Sequence, residues 1–224
     1  MKKNVIKLFV ASFVVITALA CKNDKNKVET SDAENIEEIT EVASTYTVNT
    51  DASKIDWKGE KPTGTHTGYI NLNKGEVALN DENRIVSGTF QMDMHSITVT
   101  DLKEGEGKED LEAHLKGTAE GKEGDFFNAP KYPVSTFEVS NVSEVDGKTM
   151  MTGNLTMKDV TKSVTFPVNV SIEGDKMILQ SETFGIDRTE WNANFGSKSV
   201  FDNLGDKFIN DTIELTIYVE AQKA

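Results

Sequence analysis

The sequence predicts an all-β protein in which an antiparallel sheet closes into a barrel. Two observations predict it: apolar and polar residues alternate along several long segments, and turn residues separate those segments. The clearest alternation lies near the carboxyl end, where the apolar positions are Ile213, Leu215, Ile217 and Val219. A period of two places one apolar face inward and one polar face outward. A single sheet of this size tends to close, because closure removes its exposed edges.

We expect eight or nine antiparallel strands in up-and-down order. Pairs such as Asp146-Gly147 and Gly174-Asp175 supply the positive φ that tight hairpins require. Short helical turns are expected only around residues 109–116 and near Phe126. The predicted strands lie near residues 46–58, 64–72, 75–80, 84–94, 134–143, 148–157, 162–172, 176–184 and 209–221.

The first twenty residues are typical of a secretory signal rather than of the fold. Three lysines precede an apolar run over residues 8–20, which is short for a transmembrane helix. Cys21 follows Ala18-Leu19-Ala20 directly, and this position predicts a bacterial lipoprotein that is cleaved before Cys21 and acylated on it. The alternative is an ordinary signal peptide with an incidental cysteine. Because Cys21 is the only cysteine, we expect no internal disulfide.

The chain therefore divides into a lipoprotein signal peptide over residues 1–20, a flexible acidic tether over 21–44 and a barrel domain over 45–224. The tether is rich in Asn, Lys, Glu and Asp and has too few large apolar residues to order itself. A helix over residues 34–42 is the alternative for part of this segment. We expect an exported protein anchored at a bacterial envelope membrane, in the periplasm (at the outer membrane, for example) or at the cell surface.

The charge of the chain excludes some partners. The formal charge is −13, and removal of the three lysines of the signal changes it to −16. An acidic surface argues against nucleic acid and against anionic lipid headgroups. We therefore expect membrane attachment through acylated Cys21 and not through a basic patch.

Little in the sequence points to catalysis. His66, His95 and His114 are far apart and lack the spacing of metal ligands, so we expect no metal site. Asp93 and Ser96 lie too close to His95 on one strand to form a catalytic triad of nucleophile, base and orienting carboxylate. Asp93 is instead expected to be solvated or to cap the following turn. No phosphate-binding loop or Gly-x-Ser-x-Gly motif occurs. We expect no catalytic residues and no enzyme activity.

A set of short motifs occurs in order along the chain. They are Thr65-His66-Thr67-Gly68, Met92-Asp93-Met94-His95-Ser96-Ile97, Leu111-Glu112-Ala113-His114-Leu115-Lys116, Asp125-Phe126-Phe127-Asn128, Lys131-Tyr132-Pro133, Gly153-Asn154-Leu155-Thr156-Met157, Val160-Thr161-Lys162 and Ile186-Asp187-Arg188. This ordered set resembles the YceI-like family, whose members look like small periplasmic or secreted carriers of isoprenoid lipids. The resemblance spans about residues 46–221, and residues 117–124 look like an insertion within it.

The resemblance implies a lipocalin-like barrel with a short helical lid. Such a barrel would hold an isoprenoid-like or other amphiphilic lipid in an apolar tunnel, without a chemical step. The bound molecule would be an isoprenoid quinone, a polyprenyl lipid or a fatty acid, and no other cofactor is expected. The residues alone leave open whether the barrel is open or filled, and the resemblance favours an open tunnel.

The candidate ligand-binding residues combine the inward register of the strands with the lid motifs. Gly88 and Gly153 fall on the inward register and would leave volume in the lumen, while the methionines of that register suit an irregular apolar chain. The full set is Gly88, Phe90, Met92, Met94, His114, Phe126, Phe127, Met151, Gly153, Leu155 and Arg188.

Several roles stay open at this point. His66 and His114 either hold the lid to the rim of the barrel or face the head of the ligand. Arg188 either pairs with Asp187 or anchors a polar group near the mouth. The adjacent Phe126 and Phe127 either cover the core or form a wall against the ligand.

Two other functions are weighed against carriage. One is a structural or protein-interaction lipoprotein with a filled barrel, and the less favoured one is a hydrolase that uses His114 and Asp93. A homodimer that covers an exposed phenylalanine at the mouth is also left open.

Overall fold

The structure is a computed structural model that describes residues 26–36 and 41–224. The expected signal peptide, Cys21 and parts of the expected tether lie outside the described residues. The strands are β1 (Thr30–Asp32), β2 (Ser44–Val48), β3 (Lys54–Lys61), β4 (Gly64–Leu79), β5 (Ile85–Asp93), β6 (Thr98–Val99), β7 (Val134–Val145), β8 (Lys148–Met157), β9 (Val160–Glu173), β10 (Lys176–Ser181), β11 (Phe184–Asp187) and β12 (Thr212–Lys223), and the α-helix of the described residues is α1 (Lys108–Lys116).

Eight strand positions form a closed ring of antiparallel pairs, which confirms the predicted fold class. The ring runs from β2 and β3, which share one position, through β4, β5, β7, β8, β9 and β10 to β12. β12 then pairs with both β2 and β3 and closes the barrel. Ring neighbours follow one another along the chain, as an up-and-down barrel requires.

Three predicted strand boundaries are wrong. The expected strand over 46–58 is divided into β2 and β3 by a 3-10 turn over Thr50–Ala52. The expected break between residues 72 and 75 is a register shift inside the continuous strand β4, where Leu72 pairs with Met92 and Lys74 pairs with Gln91. An extra residue in one strand bends the sheet without ending it. Conversely, the expected strand over 176–184 is divided into β10 and β11. The helical turn expected around 109–116 is confirmed as α1, whereas the chain near Phe126 forms turns without a helix.

The barrel has one packed end and one end covered by loops. Short hairpins such as Val145–Lys148 join the strands at the packed end. At the other end the chain leaves β5 at Asp93 and returns at Val134, and it leaves β11 at Asp187 and returns at Thr212. These two long connections contain α1 and form the lid.

The segment before the barrel closes a gap in the wall. β9 pairs with β10 only from Val168 onward, so the first half of β9 has a free edge. β1 occupies this edge, with Thr30 opposite Val164. On its other side the Val28 amide donates to the Gly185 carbonyl of β11 over 2.8 Å, and Val28 packs against the core. We expected a flexible spacer here, but residues 26–36 lie along the barrel wall, and the structured residues 34–36 are not helical.

Asn154 fastens the end of this segment, and its replacement by alanine should release it. The buried Asn154 side chain accepts from the Glu34 amide over 2.8 Å and donates to the Glu34 carbonyl over 2.8 Å. Loss of two hydrogen bonds costs about 1–3 kcal/mol, so hydrogen exchange over residues 30–34 should accelerate by one to two orders of magnitude. Asn169→Ala, at an exposed position of β9, is the control. Equal acceleration in both variants would show that Asn154 does not hold the segment.

Candidate ligand-binding site

An apolar cavity of about 280 Å³ lies inside the barrel beneath the lid. Its walls come from both parts of the fold: Ile55, Trp57, Ile70, Met92, Leu155, Met157, Ile186, Ile213 and Leu215 from the barrel, and Leu111, His114, Leu115, Phe126, Phe127 and Phe195 from the lid. Glu60, Lys61 and His66 add polar groups to the lining. Pockets for small organic ligands have this composition, with mostly apolar walls and a few polar groups that set orientation.

The lumen continues below this cavity. A second, wholly apolar cavity of about 60 Å³ lies deeper in the barrel and shares Ile55, Met92, Leu155 and Leu215 with the first. Phe90 and Met151 line only the deeper cavity. Met92 lines both cavities, so its unbranched and flexible side chain lies at their junction.

The inward glycines do not provide this volume, and the expectation that they do is wrong. A Cβ atom at Gly88 would lie 3.0 Å from Cγ2 of Val139. A Cβ atom at Gly153 would lie 2.4 Å from Cζ of Phe137 and 2.5 Å from the Glu138 carbonyl oxygen. The space beside both glycines is therefore filled by neighbouring side chains, and neither glycine lines either cavity.

A different glycine opens the mouth of the cavity. Gly59 lines the cavity on β3, two residues after Trp57, and a Cβ atom there would meet nothing within 4 Å. Gly59 is absent from the predicted site, although it alternates with Ile55 and Trp57 and therefore lies on the same face of the strand.

The lid is held by a histidine–aspartate pair in an aromatic cluster. Nε2 of His114 on α1 lies 2.7 Å from Oδ2 of Asp125. The His114 ring also makes edge contacts with Phe126 and Phe195, at centroid distances of 5.0 Å and 4.6 Å. Gly117 ends α1 with a φ of +71°, and a Cβ atom there would lie 2.7 Å from the Glu123 carbonyl, so this close return of the chain requires glycine.

A second histidine–aspartate pair joins the rim of the barrel to the lid. Nδ1 of His66 on β4 lies 2.8 Å from Oδ2 of Asp101, and the Thr67 amide donates to Oδ1 of Asp101 over 2.8 Å. Partial burial would raise the pKa of Asp101, but the hydrogen bonds from Thr67 and His66 outweigh it and lower that pKa. These bonds therefore stabilise the fold above the ordinary pKa of aspartate and are lost as the pH falls through the lowered value.

Arg188 lies beneath the aromatic cluster and clamps the second connection. Its side chain is 1% exposed, and it donates to the carbonyl oxygens of Asn210, Ala193 and Ile209, with distances of 3.1 Å to Asn210 and 3.2 Å to Ile209. Nη2 lies 3.7 Å from Oδ1 of Asp211. Burial lowers the pKa of the guanidinium. The expected pair with Asp187 is wrong, since Asp187 binds Lys27 over 2.8 Å instead.

Two further observations concern other kinds of site. Asp93 accepts a hydrogen bond from the His95 amide over 2.9 Å, which confirms its expected role as a turn cap. Within residues 26–36 and 41–224, no group of three or more His, Cys, Asp or Glu side chains is placed to hold a metal ion. The same part of the chain contains no helix that is both long and apolar enough to cross a membrane.

The profile of the YceI-like domain matches residues 46–221 of the chain. The chain belongs to the YceI-like domain family. No curated protein matches it. Two solved structures of low sequence identity share the fold of this YceI-like barrel.

The first is BcnA from Burkholderia cenocepacia, at 21% identity and a TM-score of 0.60, over 78% of this chain and 99% of BcnA. The second is a polyisoprenoid binding domain from Saccharophagus degradans, at 12% identity and a TM-score of 0.56, over 82% of this chain and 100% of that domain. At these identities the likeness establishes the fold.

The YceI-like barrel brings most of the predicted site residues together. Met92, Met94, His114, Phe126, Phe127, Leu155 and Arg188 all line the larger cavity. Phe126 is buried in the lid cluster, and both Phe126 and Phe127 line the cavity, while a role as a wall against a ligand stays a prediction. His66 on β4 binds Asp101 of the lid connection, as expected for a residue that holds the lid to the rim. His114 binds Asp125 within the lid connection itself and not at the rim. Contact with the head of a ligand stays a prediction.

Replacement of His114 by alanine should loosen the lid of the YceI-like barrel. The change removes the bond to Asp125 and two aromatic edge contacts, which together contribute about 1–3 kcal/mol to the closed lid. Amides of α1 should then exchange about tenfold to a hundredfold faster, with little change in the strands. His95→Ala is the matched control, since His95 is exposed in the turn after β5. Unchanged exchange in α1 of His114→Ala would contradict this role.

Proposed function

We propose that this protein is an extracytoplasmic, lipid-anchored carrier that binds an isoprenoid-like or other amphiphilic lipid without a chemical step. The observation that carries the proposal is the apolar cavity beneath the lid, with polar groups confined to a few positions of its lining. Membership of the YceI-like family supports it, as does the fold shared with a polyisoprenoid binding domain.

The driving force is the transfer of apolar surface from water into the barrel. Each buried methylene contributes about 0.8 kcal/mol, so an apolar chain of ten carbons gains about 8 kcal/mol before the entropic cost of binding. The cavity of about 280 Å³ admits a short apolar segment, and the deeper cavity provides room for extension past Met92. No reacting group is needed for this process.

The polar groups of the lining suit the head of an amphiphile. Glu60, Lys61 and His66 lie on the two strands that form the hairpin at the mouth. A headgroup held there would leave the hydrocarbon chain in the lumen. The acidic outer surface, with a formal charge of −13 for the whole chain, would keep the loaded protein soluble.

The anchor and the location are part of the proposal. Export through the amino-terminal signal and acylation of Cys21 would place the barrel at a bacterial envelope membrane, in the periplasm or at the cell surface. The sequence around Ala18-Leu19-Ala20-Cys21 supports this reading.

Native mass spectrometry tests the proposal directly. The protein over residues 21–224 is analysed as isolated and again after incubation with an isoprenoid quinone, a polyprenol and a fatty acid. We expect a stoichiometric adduct that organic solvent extracts. A protein that keeps the mass of the free chain under all four conditions would overturn the proposal and favour a barrel with an interaction role.

A further inference from the structure

We propose that the loop over residues 197–208, here called the mouth loop, docks onto a zwitterionic lipid bilayer and turns the cavity mouth toward the membrane. The inference rests on the proposed carrier function and adds the surface through which the carrier meets its lipid source.

The mouth loop is rooted at the opening of the cavity. Phe195 and Ile209, which flank its two ends, both line the cavity. The Ile209 amide donates to the Gly196 carbonyl over 2.8 Å and closes the base of the loop. The buried Ser197 continues this base, since its carbonyl accepts from the Phe201 amide over 2.9 Å. The loop therefore projects from the rim and is positioned by fixed hydrogen bonds.

The exposed aromatic residues of the described chain are concentrated here. Phe201 is 48% exposed, Val200 is 48% exposed, and Phe195 at the base is 39% exposed. Contiguous exposed apolar side chains, unlike single ones, mark sites of interaction with proteins or membranes. Aromatic residues in particular partition into the interfacial region of a bilayer.

The amino-terminal segment leaves the barrel at the same rim. The Gly185 amide donates to the Asn26 carbonyl over 2.8 Å, and Asn26 lines a groove together with Glu60 and Asn210. Asn210 directly follows the cavity residue Ile209. Four residues lie between Cys21 and Asn26, and at full extension the five Cα–Cα steps span about 17 Å. An acyl chain on Cys21 would thus hold Asn26, at this rim of the barrel, within about 20 Å of the bilayer surface.

The charges favour an uncharged surface over an anionic one. The mouth loop contains Lys198, Lys207, Asp202 and Asp206 and is neutral overall, whereas the whole chain is strongly acidic. Nζ of Lys198 lies 4.2 Å from the centroid of the Phe208 ring, so one of the two cations is engaged within the loop. Insertion of apolar side chains, and not attraction to negative headgroups, is the expected source of affinity.

Fluorescence quenching in anchored protein tests the orientation. Because Cys21 is the only thiol, residues 21–224 can be coupled through it to a maleimide phospholipid in phosphatidylcholine vesicles whose acyl chains carry bromine. Phe201→Trp and Val145→Trp each add an indole, and Val145 is a 51% exposed residue in a hairpin at the opposite end of the barrel. We expect the added emission to fall at least about twofold for Phe201→Trp and to be unchanged for Val145→Trp. Equal quenching, or none at either position, would overturn the proposal.

A transfer measurement separates this inference from the carrier function. Phe201→Ser combined with Val200→Ser changes the mouth loop without altering the cavity lining. Loading of a dansyl-labelled polyprenol from phosphatidylcholine vesicles should slow about tenfold, the ratio that corresponds to about 1.4 kcal/mol, while equilibrium binding from solution is unchanged. Val145→Ser should alter neither. Equal loading rates for the double variant and the parent would refute membrane docking but not lipid carriage. If no variant binds the polyprenol, the carrier function is refuted, and the quenching experiment still decides whether the loop docks.

Discussion

A Gly59→Phe variant will keep the barrel fold and lose the apolar ligand. A Cβ atom at Gly59 meets nothing within 4 Å, and the position faces the cavity beside Trp57 and Glu60. A benzyl group built there enters the mouth and occupies space that a ligand chain needs. Exclusion of only two or three methylenes removes about 2 kcal/mol, so the affinity for a polyprenol should fall at least about tenfold. The free energy of unfolding should change by less than about 1 kcal/mol, because no packed atom is displaced.

Gly64 offers a matched control for this variant. It lies in the same hairpin as Gly59, a Cβ atom there also meets nothing within 4 Å, and it is exposed and does not line the cavity. Gly64→Phe should therefore bind polyprenol like the parent chain. Ligand titration followed by tryptophan emission measures both variants, since Trp57 faces the cavity. Full affinity in a folded Gly59→Phe protein would show that the ligand does not enter past β3.

Replacement of Arg188 by methionine should cause the largest loss of stability. The guanidinium supplies donors to three backbone carbonyls, on Ala193, Ile209 and Asn210, and lies 3.7 Å from Asp211. Methionine retains much of the length but no donor, so these buried acceptors and a carboxylate lose their partner. Breaking such a buried charged network costs about 3–5 kcal/mol. Urea unfolding should report that decrease in the free energy of unfolding.

The second arginine serves as the control, because Arg84 is exposed and forms only a 3.5 Å ion pair with Glu82. Arg84→Met should change the free energy of unfolding by less than about 1 kcal/mol, as is usual for exposed ion pairs. A second readout addresses the site. Since Arg188 joins Ala193 to Ile209, its loss should free both ends of the mouth loop and accelerate hydrogen exchange there. Similar stability of the two variants would mean that water replaces the guanidinium and that Arg188 is not the clamp.

The strands could be predicted from the sequence because the alternation of apolar and polar residues that marks a strand extends over only a few residues. A strand such as β10 buries alternate side chains, at Met177, Leu179 and Ser181, and this requirement is visible as alternation over a few residues. The boundary errors have the same origin. The register shift at residues 72–74 of β4 and a turn both interrupt alternation, and only the partner strand decides that Leu72 and Lys74 continue to pair. The helical turn expected around residues 109–116 agrees with α1, which spans Lys108–Lys116.

The free volume inside the barrel could not be predicted from such local patterns. Gly88 and Gly59 both face inward on barrel strands, and both lack a side chain. The position of Gly88 is filled because Val139 on the adjacent strand and Phe90 extend into it, whereas no side chain reaches Gly59. Which glycine creates space depends on the side chains that are packed beside it in the folded barrel. Alternation places both glycines on an inward face but does not show whether that space is filled.

The sequence by itself determined that the chain forms an antiparallel barrel with a helical segment near residues 109–116. It also placed His66 on a strand, and His114 and the Phe126-Phe127 pair in a connection between strands. Alternation and short motifs suffice for this, because both act over a few residues. Only the tertiary structure decided that Arg188 bonds to carbonyls and not to its neighbour Asp187, that residues 26–32 complete the wall, and that the cavity opens beside Gly59. These three outcomes depend on contacts between segments that are distant in sequence. They are set by close packing and by the pairing of buried polar groups in the folded state, and neither can be evaluated from a short stretch of sequence.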